Sequence, residues 1–276
     1  IMQPQFSLAQ LTVLKTSPAE ISRIAADCGY DYVSMRQIYM GLPEEPDYDL
    51  SKNKKLMAET KAVFADTGIK LLDIELARIF DGMDVKKYEP AMTTAVELGG
   101  KHVLSSIWTL DREYAIERFA ELCDLAAQYG LTVELEYVPI AGVRTLGGAV
   151  DVLRKVNRKN AGLMIDIHHF HRAQDDPAEL AKLPEEWFRF AHLCDAPAEI
   201  PSEQTEMVRI LREARSYVGE GGIDIAPILN AMPVVPYSIE LPNLERVAES
   251  GYAEHARRCL ESAKTFCSGY LKGRSE

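Results

Sequence analysis

Short apolar runs and amphipathic stretches alternate along the whole chain, each pair occupying roughly 30 residues, the size of one strand–helix unit. Period-two or continuous apolar runs predict strands near 6–14, 31–36, 70–77, 102–108, 132–138, 162–168, 189–194 and 235–241. Helical patterns lie between them. Ser17-Pro-Ala-Glu20 is a capping box, and its helix closes on Gly29. A second pattern over 52–68 also stops at a glycine, and a third follows over 86–100. Over 112–130 one stripe carries Ile116, Phe119, Ala120, Cys123 and Ala127. Further patterns cover 145–157, 176–187, 222–232 and 251–267.

Eight strands and eight helices over 276 residues match an eightfold parallel barrel, usually about 250 residues long. The expected fold is a single (β/α)8 TIM barrel spanning 1–276. No Pro/Ser-rich linker or low-complexity tract interrupts it. Two long loops, 37–50 and 195–221, follow the second and seventh strands, where barrel loops stand over the active-site rim. A doubly wound open sheet is the competing arrangement, weakened because no Gly-x-Gly-x-x-Gly follows the first strand.

Composition narrows the picture. A net charge of −11 argues against nucleic acid, whose binding depends on neutralising phosphates. No apolar run approaches the ~20 residues of a membrane span, and the start IMQPQFSLAQ shows no signal-peptide pattern. The five cysteines form no Cys-x-x-Cys pair and read as reduced thiols, which predicts a cytoplasmic protein. The expected partner is a small molecule, with room left for a homo-oligomer.

The chemistry concentrates at the ends of the last four strands. Glu136 ends TVELEYVP, Asp166 sits in GLMIDIHHFH, His192 in FRFAHLCDA and Glu240 in VPYSIELPN. On parallel neighbouring strands these side chains converge on one rim. Three carboxylates and an imidazole suit one divalent cation, Mn²⁺, Mg²⁺, Co²⁺ or Zn²⁺. Taken singly, each has a bland reading: a lone His on an apolar strand is usually a satisfied core residue. The alignment of four such residues makes the joint coincidence harder to sustain. Glu134 shares the strand face of Glu136 one layer down, as a buried neighbour or a support for the ligands.

Around this set, His169 lies just past the sixth strand, within the run His168, His169, His171. One of the three is expected to be functional while the others pack or hydrogen-bond. Asp195 could orient substrate or His192. Arg36, Glu75 and Arg78 end earlier strands, with Arg36 and Arg78 as candidate binders of hydroxyls or anions and rim salt bridges as the alternative for each. Trp108 could wall a sugar face, while Trp187 anchors the core. The run GEGGID, Gly219 to Asp224, could offer amides to a phosphate, or be a plain turn. One of Arg209, Arg212 and Arg215, which precede it, could reach the rim; Arg215 is the one assigned to substrate.

These segments, together with GYDYVSMR and GIKLLDIE, resemble the xylose-isomerase-like superfamily, in its sugar phosphate isomerase/epimerase branch, over nearly the whole chain. The resemblance implies one divalent metal held by Glu136, Asp166, His192 and Glu240, with His169 on substrate. It implies a metal-dependent isomerase or epimerase that abstracts a proton beside the carbonyl of a keto sugar or polyol, through an enediolate. Glu136 and Glu240 would exchange the proton, and Arg36, Glu75, Trp108 and Arg215 would contact substrate. The arginine shortly after the metal-binding His of the epimerases has no match in DAPAEIPSEQ. HLCDAP and GEGGIDI look closer to dehydratase members, so a lyase of the inosose or dehydroshikimate type is the alternative. A sugar-binding barrel without chemistry is a third reading. The apurinic endonucleases of the superfamily carry further His ligands on earlier strands, and neither IELARIF nor SSIWTL supplies one.

Overall fold

The computed structural model describes residues 3–273. Eight strands are present: β1 (Phe6–Ala9), β2 (Tyr32–Arg36), β3 (Lys70–Ile79), β4 (His102–Ile107), β5 (Thr132–Leu135), β6 (Ala161–Leu163), β7 (Ala191–Leu193) and β8 (Tyr237–Ile239). They form one sheet in the order β6-β5-β4-β3-β2-β1-β8-β7, and every ladder is parallel. β6 and β7 share no ladder. The ring closes between them at an isolated parallel bridge, Asp166 to His192, where the His192 N–H donates to the Ile165 carbonyl at 2.9 Å.

Ten helices surround the sheet among the described residues: α1 (Pro18–Cys28), α2 (Lys54–Thr67), α3 (Glu89–Glu97), α4 (Arg112–Gln128), α5 (Leu146–Val156), α6 (Ile167–Arg172), α7 (Pro177–Leu180), α8 (Gln204–Glu213), α9 (Ile225–Asn230) and α10 (Leu244–Tyr270). The Ser17/Glu20 capping box forms, and α1 ends at Gly29 with φ 96°, a left-handed conformation that glycine adopts without strain. Asp111 caps α4. The buried stripe of α4 is Ala115, Phe119, Leu122, Cys123, Leu125 and Ala126; Ala127 faces solvent, so the helix is rotated from the expected stripe.

Several boundaries move. β1 stops at Ala9, because Gln10–Val13 coil into a 3-10 turn. The strand expected to reach 168 ends at Leu163, and α6 begins directly after Asp166. The 195–221 stretch, expected as loop, contains α8, with Ile210 buried on its inner side. α10 starts earlier than expected and is broken at Gly251, φ 80°.

The main core lies between sheet and helices. A smaller apolar cluster, Leu72, Leu76, Leu104, Met164 and Phe190, is separate from it. Leu104 pairs with Glu134, and Phe190 is two residues from His192, so this cluster lines the strand faces that point into the barrel. It fills the lumen beneath the rim. Among the described residues no helix is long and apolar enough to cross a membrane.

Candidate metal centre

Each of the four strand-end residues is placed by a short, well-anchored segment. Glu136 follows β5 directly, and its N–H donates to the Ser105 carbonyl at 2.8 Å. Asp166 is the N-cap of α6, and its Oδ1 accepts from the His168 N–H at 2.8 Å. That leaves Oδ2 facing the rim. His192 lies inside β7, and Glu240 follows β8, ahead of Leu241-Pro242.

One ligand atom from each residue lies within 4.8 Å of the others, and all four residues are buried. His192 Nδ1 is 3.0 Å from Glu240 Oε2, 3.3 Å from Glu136 Oε2 and 3.4 Å from Asp166 Oδ2. One ring nitrogen has at most one hydrogen to give. Neither ring nitrogen of His192, nor Glu136 Oε2, has a partner in hydrogen-bond geometry. Three carboxylates converging on an imidazole with unfilled hydrogen-bonding capacity is an arrangement that a cation completes, and the oxygen-rich donor set fits a divalent ion.

The charges of this group act strongly on one another. Burial opposes charge on Asp166, but Arg215 and the imidazoles of His169 and His192 outweigh it and hold the carboxyl well below its usual range. Burial works against the His192 cation too, yet Glu240, Asp166 and Glu136 push its pKa well above the ordinary histidine value. Burial and the nearby carboxylates raise Glu75 well above normal. Burial above all lifts Asp73, one layer below, to about 7.

Arg215 reaches the cluster. Its Nη1 donates to Asp166 Oδ2 at 3.0 Å and to the Glu240 carbonyl at 3.1 Å, and Nη2 lies 3.4 Å from Glu240 Oε2. Its own carbonyl accepts from Asn243, and its N–H donates to the Pro242 carbonyl. Of the other two arginines, Arg212 lines the pocket and Arg209 pairs with Glu206 at the surface.

His169 Nε2 stands 3.7 Å from Asp166 Oδ2 and 4.0 Å from Glu136 Oε2. His168 is buried, its pKa driven well down by desolvation, and His171 bonds Arg172. Glu75 lies beneath His192, 3.7 Å from Nε2, and 3.6 Å from Arg36 Nε. Trp108 lines the pocket with its indole N–H on Ser106. Arg36, Glu75, Trp108, His169 and Arg215 therefore all border one cavity with Glu136 and Glu240.

Glu134 is the buried neighbour of the two alternatives, paired with Arg189 at 3.1 Å rather than with the rim group. Other expectations are corrected. Asp195 touches neither His192 nor the cavity. Its carboxylate accepts from the N–H groups of Gly219 at 3.1 Å, Gly221 at 3.0 Å and Ile223 at 3.1 Å. The amides of GEGGID thus hold an internal carboxylate, which occupies the place an external phosphate would need. A Cβ on Gly221 would lie 2.2 Å from Asp195 Oδ1, so only glycine allows that approach. Asp73 and the Met40/Leu42 wall of the cavity had not been singled out; Asp73 is flagged only by its place two residues before Glu75 on an apolar strand.

Known proteins share this construction. The chain is 26% identical over 253 residues to the inosose isomerase of Bacillus velezensis, covering 86% of this chain and 85% of that protein. It is 28% identical over 258 residues to the 3-dehydroshikimate dehydratase of Pseudomonas aeruginosa, covering 87% of this chain but 38% of that protein. Its fold superposes on a crystal structure of the IOLI protein with a bound zinc atom at a TM-score of 0.81 and 23% identity, covering 97% and 99% of the two chains. Residues 22–263 match the family model of the xylose isomerase-like TIM barrel, and the chain belongs to that family.

Proposed function

We propose that this protein is a divalent-metal-dependent isomerase or epimerase of a keto sugar or keto-cyclitol. The observation that carries the reading is the convergence of three buried carboxylates on His192 at the C-terminal rim of the barrel, where barrel enzymes keep their active sites. Glu136, Asp166, His192 and Glu240 would hold the ion. Bound there, a divalent cation supplies polarisation of a carbonyl oxygen and stabilisation of developing negative charge.

The remaining work falls to the chain's own groups. The carboxylates of Glu136 and Glu240 approach the cavity from β5 and β8. One takes the proton from the carbon beside the carbonyl and the other returns it to a new face or position. His169 Nε2 faces the same cavity and serves as hydrogen-bond partner to a substrate hydroxyl. Trp108 offers an apolar wall to the sugar face, while Arg36 and Glu75 line the same cavity beside His192. Arg215 offsets the charge of Asp166 and Glu240.

The likeness to the inosose isomerases supports inosose as the first compound to test. Purified protein with Mn²⁺ in D₂O should place deuterium on the carbon next to the inosose carbonyl, and chelator should stop it. Exchange that persists undiminished in excess chelator would sink the reading. The dehydratase relative favours a second outcome on the same site: loss of a β-hydroxyl after proton removal, visible as a new enone absorbance. We read the chain as a single domain, and its unpaired cysteines fit a reducing compartment such as the cytoplasm.

A further inference from the structure

The cavity beside the carboxylate group is acidic on one side and basic on another. Arg36, Arg212 and Arg215 all line it. Arg215 is fully engaged by Asp166 and Glu240. Arg36 and Arg212 are not. Arg36 projects from the end of β2, and its side chain is 9% exposed. Its nearest carboxylate oxygens, on Glu75 and Glu45, stand 3.6 and 3.7 Å away, past good hydrogen-bond length. Its Nε and Nη1 are buried with no hydrogen-bond partner.

Arg212, in the last turn of α8, makes no ion pair or hydrogen bond among the described residues. It is nevertheless half withdrawn from water, and burial followed by the guanidinium groups of Arg36 and Arg78 pushes its pKa down. Arg78, from the end of β3, spends one N–H on the Met40 carbonyl at 3.3 Å, in the loop that covers this edge. Arg36 and Arg212 thus line the cavity with forked donors left over. Arginine clusters of this kind match carboxylate and phosphate oxygens. The other candidate anion site is closed, because Asp195 already fills the amides of the GEGGID loop.

We propose that the substrate of this site carries an anionic group, a carboxylate or a phosphate, held by Arg36 and Arg212 on the β2–β3 side of the cavity. The inference rests on the keto-polyol reading given above and narrows its substrate class.

The test uses the full metal-loaded chain and three six-carbon probes of matched skeleton: fructose, 2-ketogluconate and fructose 6-phosphate. Binding is followed by calorimetry and proton exchange in D₂O by NMR. One anionic probe should bind at least about tenfold more tightly than fructose, and that preference should shrink with added NaCl. R212Q and R36Q should each cut the preference roughly ten- to hundredfold, as loss of a charge-assisted hydrogen bond does. R212Q alters a half-exposed side chain, so it remains informative if R36Q misfolds. Whichever anion keeps the preference identifies carboxylate or phosphate as the group recognised. Equal binding of all three probes, or an R212Q effect shared by fructose, overturns the inference and leaves the isomerase reading standing. Failure of both anionic probes to bind also overturns it. Arginine-dependent anion binding without any proton exchange supports it and counts against the isomerase reading instead.

Discussion

Glu134 lies on β5 and Glu136 directly after it, two residues apart, yet they end in opposite situations. Glu134 meets one arginine, Arg189, and one imidazole, His102, 3.6 Å away. There Oε1 is taken by Arg189, while Oε2 is buried without a hydrogen-bond partner. Glu136 meets two further carboxylates and an imidazole with no hydrogen-bonded partner. At the lower group one carboxyl faces one arginine and one imidazole, whereas the upper group gathers three carboxylates and carries more negative charge than its own residues offset. A buried carboxylate is therefore uninformative alone; the ratio of acids to fixed cations around it separates a structural pair from a binding site.

Removing the ion is the harshest way to test that contrast. Chelation should abolish turnover, and His192→Ala should reduce metal content by elemental analysis at least about tenfold, in the range expected for a weakened metal site. Glu134→Gln should leave metal content unchanged. Equal metal loss in both variants would erase the distinction between the two ends.

Next in size are Glu136→Gln and Glu240→Gln, which keep side-chain shape and remove the proton acceptor. Each should lower kcat by about 10²–10⁴-fold in an isomerisation assay on the substrate that emerges from the screen. If only one variant loses solvent proton exchange, that residue abstracts the proton and the other serves the metal. Near-normal turnover in both would move the acid–base role to His169 or Glu75.

Arg215→Met comes third. It strands Asp166 and Glu240 without their buried cation, a loss on the order of 3–5 kcal/mol for one partner of a buried pair. Urea unfolding of the metal-free protein should show that loss, and saturating Mn²⁺ should recover part of it. An unchanged midpoint in the metal-free form would mean that the carboxylates do not depend on Arg215.

The smallest effect belongs to the lower group. Burial pushes the Glu134 carboxyl up to about 8, against about 4.3 in an unfolded chain. Between those values the native state holds the proton and the unfolded state does not. Its contribution to stability is therefore present at low pH and lost as pH rises towards 8. Burial lowers His102 to about 4, which gives the opposite slope below about 6.5. Asp73, raised to about 7, adds a slope of the same sign, so over about 6.5 to 8 it is the comparison with Glu134→Gln that singles out this carboxyl. There the melting temperature of the native protein, relative to that of Glu134→Gln, should fall with rising pH. Parallel curves would show that Glu134 is already ionised in the folded state.

The periodic segments were legible from sequence because burial on one face writes a repeat that survives without neighbours. α1 and α4 formed where their patterns lay, and the four strand-end ligands came together as their spacing required. α8 was missed because it sits inside a long connection, although Met207, Ile210 and Leu211 keep helical spacing with no glycine or proline among them. The GEGGID run misled for a different reason. Its amides do bind an anion, but the anion is Asp195, more than twenty residues earlier in the chain. Local sequence announces a donor nest and cannot say which acceptor fills it. Of the three arginines Arg209, Arg212 and Arg215, the sequence assigns Arg215 to the cavity; Arg212 lines it too, which only the direction set by α8 and the turn after it reveals.

The sheet runs without a break from β6 round through β7, and the circle is fastened where Asp166 meets His192. The same two residues supply an oxygen and a nitrogen to the group at the rim. The clasp of the hoop and two of the residues that could hold a metal ion are thus the same pair. A substitution that parts them opens the wall as well as the site, and an ion that draws them together fastens both. Closure of the barrel and the geometry of the rim group are coupled along that seam.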